Sequence, residues 1–169
     1  GVLYYRQGWY HDAARYFDMA CSMDPQNAEY RSARQRMSNG TYNGNGYTLS
    51  HLSLTETEGN CALFETNEGT LENIRIYDGF FFSYENTASL CQTNKGNIIN
   101  CASYSSVTGK NCGGLVHTNE GKISNSFFEG KISAYSAGGL VYANNGSIVN
   151  SYTNAHIFGK QTASLAYSN

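Results

Sequence analysis

Two stretches of this chain match position by position at a separation of 25 residues: GGLVHTNEGKISNSFFEGKIS, residues 113–133, and GGLVYANNGSIVNSYTNAHIF, residues 138–158. The same phase extends further. Leu63, Leu90, Leu115, Leu140 and Leu165 follow one another at steps of 27, 25, 25 and 25. Four positions after each Leu stands an Asn (Asn67, Asn94, Asn119, Asn144, Asn169), and six after come Gly69, Gly96, Gly121 and Gly146. Eight after come Leu71, Ile98, Ile123 and Ile148. Ten after come Asn73, Asn100, Asn125 and Asn150, and seventeen after come Phe80, Val107, Ile132 and Ile157.

A helical repeat needs 10–15 periodic residues between breakers, whereas here Gly and Asn interrupt every five to eight. Only short strands fit. The apolar columns at zero, eight and seventeen divide the period into thirds, so each period reads as one circuit with three faces, each sending an aliphatic residue inward. Stacked circuits bring like residues over like at about 4.8 Å, the spacing of paired strands. The predicted fold class is therefore mainly β: a parallel β-helix, or β-solenoid, of three-faced coils of about 25 residues. The Gly column is expected to supply positive φ at a corner, and the Asn columns to bond turn backbone and one another as amide ladders. Residues 47–54, YTLSHLSL, alternate apolar and polar positions and predict a strand of a partial first coil.

Residues 1–37 have a different character. Tyr10, Ala13, Ala14, Phe17, Ala20 and Cys21 recur at three- and four-residue steps, which predicts one apolar helix face. Pro25 stops that helix, and Asn27 starts a second one carrying Tyr30, Ala33 and Met37. The run YYRQGWYHDAARYFDMACSMDPQNAEY, residues 4–30, resembles a tetratricopeptide repeat at Gly8, Tyr10, Ala13, Phe17, Ala20 and Pro25. That resemblance implies a small α-helical unit over 1–37 whose apolar face needs a neighbour. Residues 38–47, SNGTYNGNGY, read as a Gly/Asn linker, and 48–169 as the solenoid.

The two stretches that open this section also resemble the GLUG repeat, a motif of bacterial surface proteins and large secreted adhesins and proteases. The likeness covers about 61–169 and is closest at 113–125 and 138–150. It implies a binding, adhesive or spacer role at a cell surface or outside the cell, and brings no catalytic residues with it. Where that family places a Gly after Leu-Val, this chain has His117 and Tyr142.

Composition narrows the function further. Net charge is −2 with 14% charged residues, which argues against a nucleic-acid partner. No apolar run reaches the roughly 18 residues of a membrane span. The five cysteines (Cys21, Cys61, Cys91, Cys101, Cys112) include no Cys-x-x-Cys, so zinc is not expected; small buried hydrophobes are, with a disulfide among Cys91, Cys101 and Cys112 left open. No cofactor or metal set is expected. Glu68, Lys95 and Glu120 share a column and predict an exposed ion-pair ladder. Glu65, Gln92, His117, Tyr142 and Tyr167 share another, with Glu65 and His117 two coils apart. The candidate interaction surface is aromatic: Tyr77, Tyr104, Phe127, Phe128, Tyr135 and Tyr152, which could stack sugar rings or another protein. The expected function is a non-enzymatic module for adhesion or end-to-end assembly into a fibre, with a protein (itself or another) or a surface glycan as partner. The alternatives are a β-helix that binds or cleaves polysaccharide in a lateral groove, and an intracellular scaffold built on the tetratricopeptide-like unit.

Overall fold

Short apolar runs alternating with Asn, Gly and Ser allow the chain only a few extended residues before each turn. The computed structural model describes residues 41–169, and in it these runs form three parallel sheets. The first sheet stacks β1 (Thr41–Asn43), β5 (Thr70–Glu72), β9 (Asn97–Ile99), β12 (Lys122–Ser124) and β15 (Ser147–Val149). The second holds the longest strands: β2 (Thr48–Ser50), β6 (Arg75–Ser83), β10 (Ala102–Gly113), β13 (Phe127–Gly138) and β16 (Tyr152–Phe158). Three short strands join it, β3 (Ser53–Glu56) on β6, β7 (Asn86–Thr87) on β10 and β17 (Gln161–Ala163) on β13. The third stacks β4 (Phe64–Asn67), β8 (Cys91–Asn94), β11 (Val116–Asn119), β14 (Val141–Asn144) and β18 (Ala166–Ser168). The chain visits the three sheets in rotation, adding a strand to each on every circuit, for about five turns of β-solenoid. The tetratricopeptide-like unit of 1–37 lies outside the described residues.

Register confirms one circuit per period. Ile123 pairs with Ile98 below and Ile148 above. Leu90, Leu115, Leu140 and Leu165 are linked by successive backbone bonds of 2.9–3.0 Å from each amide to the next Leu carbonyl. The core is the stack of these columns: Leu63, Leu90, Leu115 and Leu140 at one corner, Leu71, Ile98 and Ile123 on the first sheet, Phe81, Val107 and Ile132 on the second, all fully buried. Tyr42 heads the Leu71 column, so the stretch expected as a linker already contributes a strand and a core residue.

The 27-residue step has a local cause. Partners stand 27 positions apart at Phe64 and Cys91, 26 at Gly79 and Ser105, and 25 at Asn86 and Asn111. One surplus residue is Asp78, which bulges from β6 with φ 54°; the other falls within Ser83–Glu85. The bulge shifts the inward column, so Val107 pairs with Phe81, not with Phe80, which faces outward and is exposed.

The corner chemistry also differs from expectation. Positive φ falls on Asn73, Asn100, Asn125 and Asn150, at 49–55°, where an Asn side chain tolerates the left-handed conformation. Gly96, Gly121 and Gly146 have no positive φ. Their requirement is proximity: a Cβ on each would collide with the carbonyl oxygen of the glycine one coil below.

The amide ladder is continuous. Asn67 donates to Asn94 (2.7 Å), Asn94 to Asn119 (2.8 Å), Asn119 to Asn144 (2.7 Å) and Asn144 to Asn169 (2.9 Å). The first three of these residues are fully buried. A second ladder runs from Asn100 to Asn73 to Asn43, and a third, not anticipated, from Asn111 to Asn86 to Asn60. Each satisfies polar groups that would otherwise be orphaned at a turn.

Cys91, Cys101 and Cys112 are buried free thiols on separate columns, so no disulfide joins them; Cys61 is buried as well, on the column of Thr87 and Cys112. Burial pushes the thiols of Cys91, Cys101 and Cys112 up to about 12, which leaves them neutral and unreactive.

Candidate functional site

Successive side chains on a strand point to opposite faces. On the second sheet this sends Phe128, Ile132 and Val107 inward and Tyr77, Tyr104, Phe127, Glu129, Lys131 and Tyr152 outward. Phe128 is therefore removed from the candidate surface: it is fully buried, and it cannot share a face with its neighbour Phe127.

The remaining outward rings meet. Tyr77 and Tyr104 are register partners with ring centroids 5.9 Å apart. Tyr104 then meets Phe127 edge to face at 5.5 Å, a diagonal contact, because Phe127 pairs with Ala102. Phe127 and Tyr152 stack nearly parallel at 4.9 Å and 8°. The result is a ladder of four rings, one per coil, ending in exposed Tyr77 and Tyr152. Tyr135 is exposed on the same face of β13 but belongs elsewhere. It lies eight residues beyond Phe127, with the Lys160 ammonium 5.4 Å from its ring centroid.

Beside the ladder runs a groove of about 760 Å³. It crosses the sheet where small residues stand in register, Gly79 beside Ser105 and Ser105 beside Gly130. Gly130 has φ 151°, and a Cβ there would strike the Ser105 carbonyl oxygen, so this position takes only glycine. Tyr77, Tyr104 and Glu129 line one side, Lys131, His156 and Phe158 the other. The Lys131 ammonium sits 5.2 Å from the centre of the Phe158 ring, and Asp78 faces His51 at 3.5 Å, both well exposed. The Tyr152 hydroxyl donates to Glu129 at 3.4 Å. Asp78, Glu129, Lys131 and His156 had no evident relation in the sequence. Lys131 and His156 meet through the ordinary 25-residue register, while Asp78 and Gly79 reach the groove through the bulge, which the 27-residue step alone signalled.

A second ring stack fills the third sheet's outer face. His117 stacks on Tyr142 at 4.7 Å and 17°, and Tyr142 on Tyr167 at 5.0 Å and 15°. The bulk expected at His117 and Tyr142 is therefore packed against its own column. His117 Nδ1 lies 3.0 Å from the Thr118 hydroxyl, while its Nε2 is buried without a hydrogen-bond partner. Burial lowers its pKa from 6.5 to about 4. Between those values the unfolded chain binds a proton that the folded chain refuses. Stability contributed by neutral His117 is thus whole above pH 6.5 and is lost as pH falls toward 4. His117→Phe keeps the ring and removes the titration. Urea unfolding at pH 7.0, 5.5 and 4.0 is expected to show wild type losing on the order of 2 kcal/mol more than the variant across that window.

In the charged column, Lys95 and Glu68 pair at 3.9 Å, half exposed on both sides and worth little to stability. Among the described residues no group of three His, Cys, Asp or Glu is arranged to hold a metal ion. No described helix is long and apolar enough to cross a membrane. Comparison with protein-family models, with curated proteins and with solved structures found no match. The likeness to tetratricopeptide and GLUG repeats thus rests on the residues quoted for it.

Proposed function

We propose that this chain is a non-enzymatic interaction module of adhesive type, which engages its partner along the flank of the solenoid. The observation that carries the reading is the ladder Tyr77–Tyr104–Phe127–Tyr152, aromatic area held at the surface instead of in the core. Clustered exposed rings of this kind mark interaction sites, since isolated ones need no explanation but contiguous ones cost solubility. The rings also stand on paired strands and not on loops, which fixes their spacing before any partner arrives.

The test uses the whole chain and the triple variant Tyr77→Ser/Tyr104→Ser/Tyr152→Ser, passed over immobilised polysaccharides and immobilised matrix proteins. Wild type is expected to be retained on at least one class and the variant on none, with the variant's unfolding midpoint within a few degrees of wild type. Equal retention of the two forms overturns the reading. Incubation with soluble polysaccharide is expected to create no new reducing ends. Their appearance, and their loss in Asp78→Asn or Glu129→Gln, would overturn the non-enzymatic half, because both carboxylates line the groove.

A further inference from the structure

We infer that the occupant of this flank is a neutral linear polysaccharide, lying along the solenoid axis with its sugar rings on the aromatic ladder and its hydroxyls in the adjoining groove. The inference rests on the interaction reading above and names the ligand class for it.

Three features of the face select that class. The first is periodicity. One ring per coil at the strand spacing of about 4.8 Å makes a surface that repeats along a line. A linear polymer of ring-shaped units is the ligand that repeats likewise, whereas a folded protein partner presents no such period. The second is the pairing of apolar and polar chemistry. A pyranose has a face of C–H groups rimmed by hydroxyls. Here the rings of Tyr77, Tyr104 and Phe158 line the same groove as Ser106, Glu129, Lys131 and His156, which together donate and accept hydrogen bonds. Gly79, Ser105 and Gly130, in register across three strands, put no long side chain on the groove floor between these walls. A groove of about 760 Å³ is also in the range of small-ligand sites.

Charge decides between neutral and acidic glycans. Two carboxylates, Asp78 and Glu129, share the groove with the single ammonium of Lys131, which lies over Phe158. A polyuronate or sulfated chain needs an unopposed cationic track, which this face does not offer.

The experiment is a titration of the whole chain, followed by tyrosine fluorescence and calorimetry. The probes are neutral β-linked hexose oligosaccharides of two to eight units, a polyuronate of matched length and a denatured matrix protein. Affinity for the neutral series is expected to rise with length and level off once the chain spans the ladder, and to hold constant between 50 and 500 mM salt. Tyr104→Ala is expected to weaken it about tenfold or more, and Phe80→Ala, on the same sheet outside the ladder, by less than twofold. Ring-dependent binding of the polyuronate with strong salt sensitivity, or of the protein alone, overturns the neutral-glycan assignment and leaves the interaction reading standing. Binding of the neutral series with equal affinity by wild type and the triple ring variant overturns both.

Discussion

Gly121→Ala is expected to destabilise the solenoid by about 3 kcal/mol or more, enough to remove a large share of a typical domain's stability. Gly121 lies in the middle of the glycine column, and its added methyl would meet the Gly96 carbonyl oxygen. That oxygen cannot retreat, because it accepts the Lys122 amide at 2.9 Å, while the Gly121 amide itself is bonded to the Asn94 carbonyl. Relief therefore requires two coils to part, and their separation is fixed by every other rung of the three sheets. Gly46→Asn supplies the control. Gly46 has φ 76° in an open turn with nothing near its missing Cβ, and Asn accepts that backbone conformation, so the cost is expected to stay within about 1 kcal/mol. Urea unfolding of the two variants, followed by far-ultraviolet circular dichroism, measures the contrast. Equal costs would mean that the column is held by backbone conformation and not by contact.

The second large effect separates adjacent rings. Phe128→Ala is expected to cost about 3–5 kcal/mol, the usual range for emptying a buried aromatic site. Phe128 is fully buried between coils, and its ring also fills the space that a side chain at position 114 would occupy. Phe127→Ala, one residue earlier, gives up two ring contacts at the surface and is expected to cost about 1 kcal/mol. The same pair divides in function: Phe127→Ala is expected to impair ligand retention, whereas Phe128→Leu, which keeps the core filled, is not. Chemical denaturation of both variants, with the retention assay in parallel, checks this. A larger stability loss for Phe127 than for Phe128 would reverse the assigned faces.

Much of the architecture was legible because stacking makes sequence redundant. A residue that must fit over its copy one coil away is under the same constraint as that copy, so Leu115 and Leu140, or Asn119 and Asn144, recur in phase. The reading went astray where one residue type has two reasons to be present. Glycine at 96, 121 and 146 suggested a left-handed corner, yet that corner belongs to Asn100, Asn125 and Asn150, while glycine answers to a carbonyl pressed against it. Composition cannot tell conformational freedom from lack of space. The ladder of Asn60, Asn86 and Asn111 escaped notice because its first step is 26 positions and its second 25.

The candidate site was legible only in part. Tyr77, Tyr104, Phe127 and Tyr152 were found from their phase. Phe128 was included wrongly, although strand alternation alone separates it from Phe127. The groove was invisible, since it depends on Asp78 standing outside the period and so bringing Gly79 beside Ser105. The His117, Tyr142 and Tyr167 column was legible as a column, but its stacking depends on side-chain angles that phase does not encode.

The directions of the three amide ladders have an electrical consequence. In the column from Asn67 to Asn169 each Nδ2 points toward the chain's later coils; in the columns ending at Asn43 and Asn60 it points toward the earlier ones. Within each column the bond dipoles align and polarise one another. Between columns they oppose, but only across the first coils, where the ladders ending at Asn43 and Asn60 run beside the first. An α-helix accumulates partial charge at its tips as it lengthens; this coil stack offsets its side-chain dipoles at its early end, while from Asn119 to Asn169 one amide column runs on without an opposing amide ladder among the described residues.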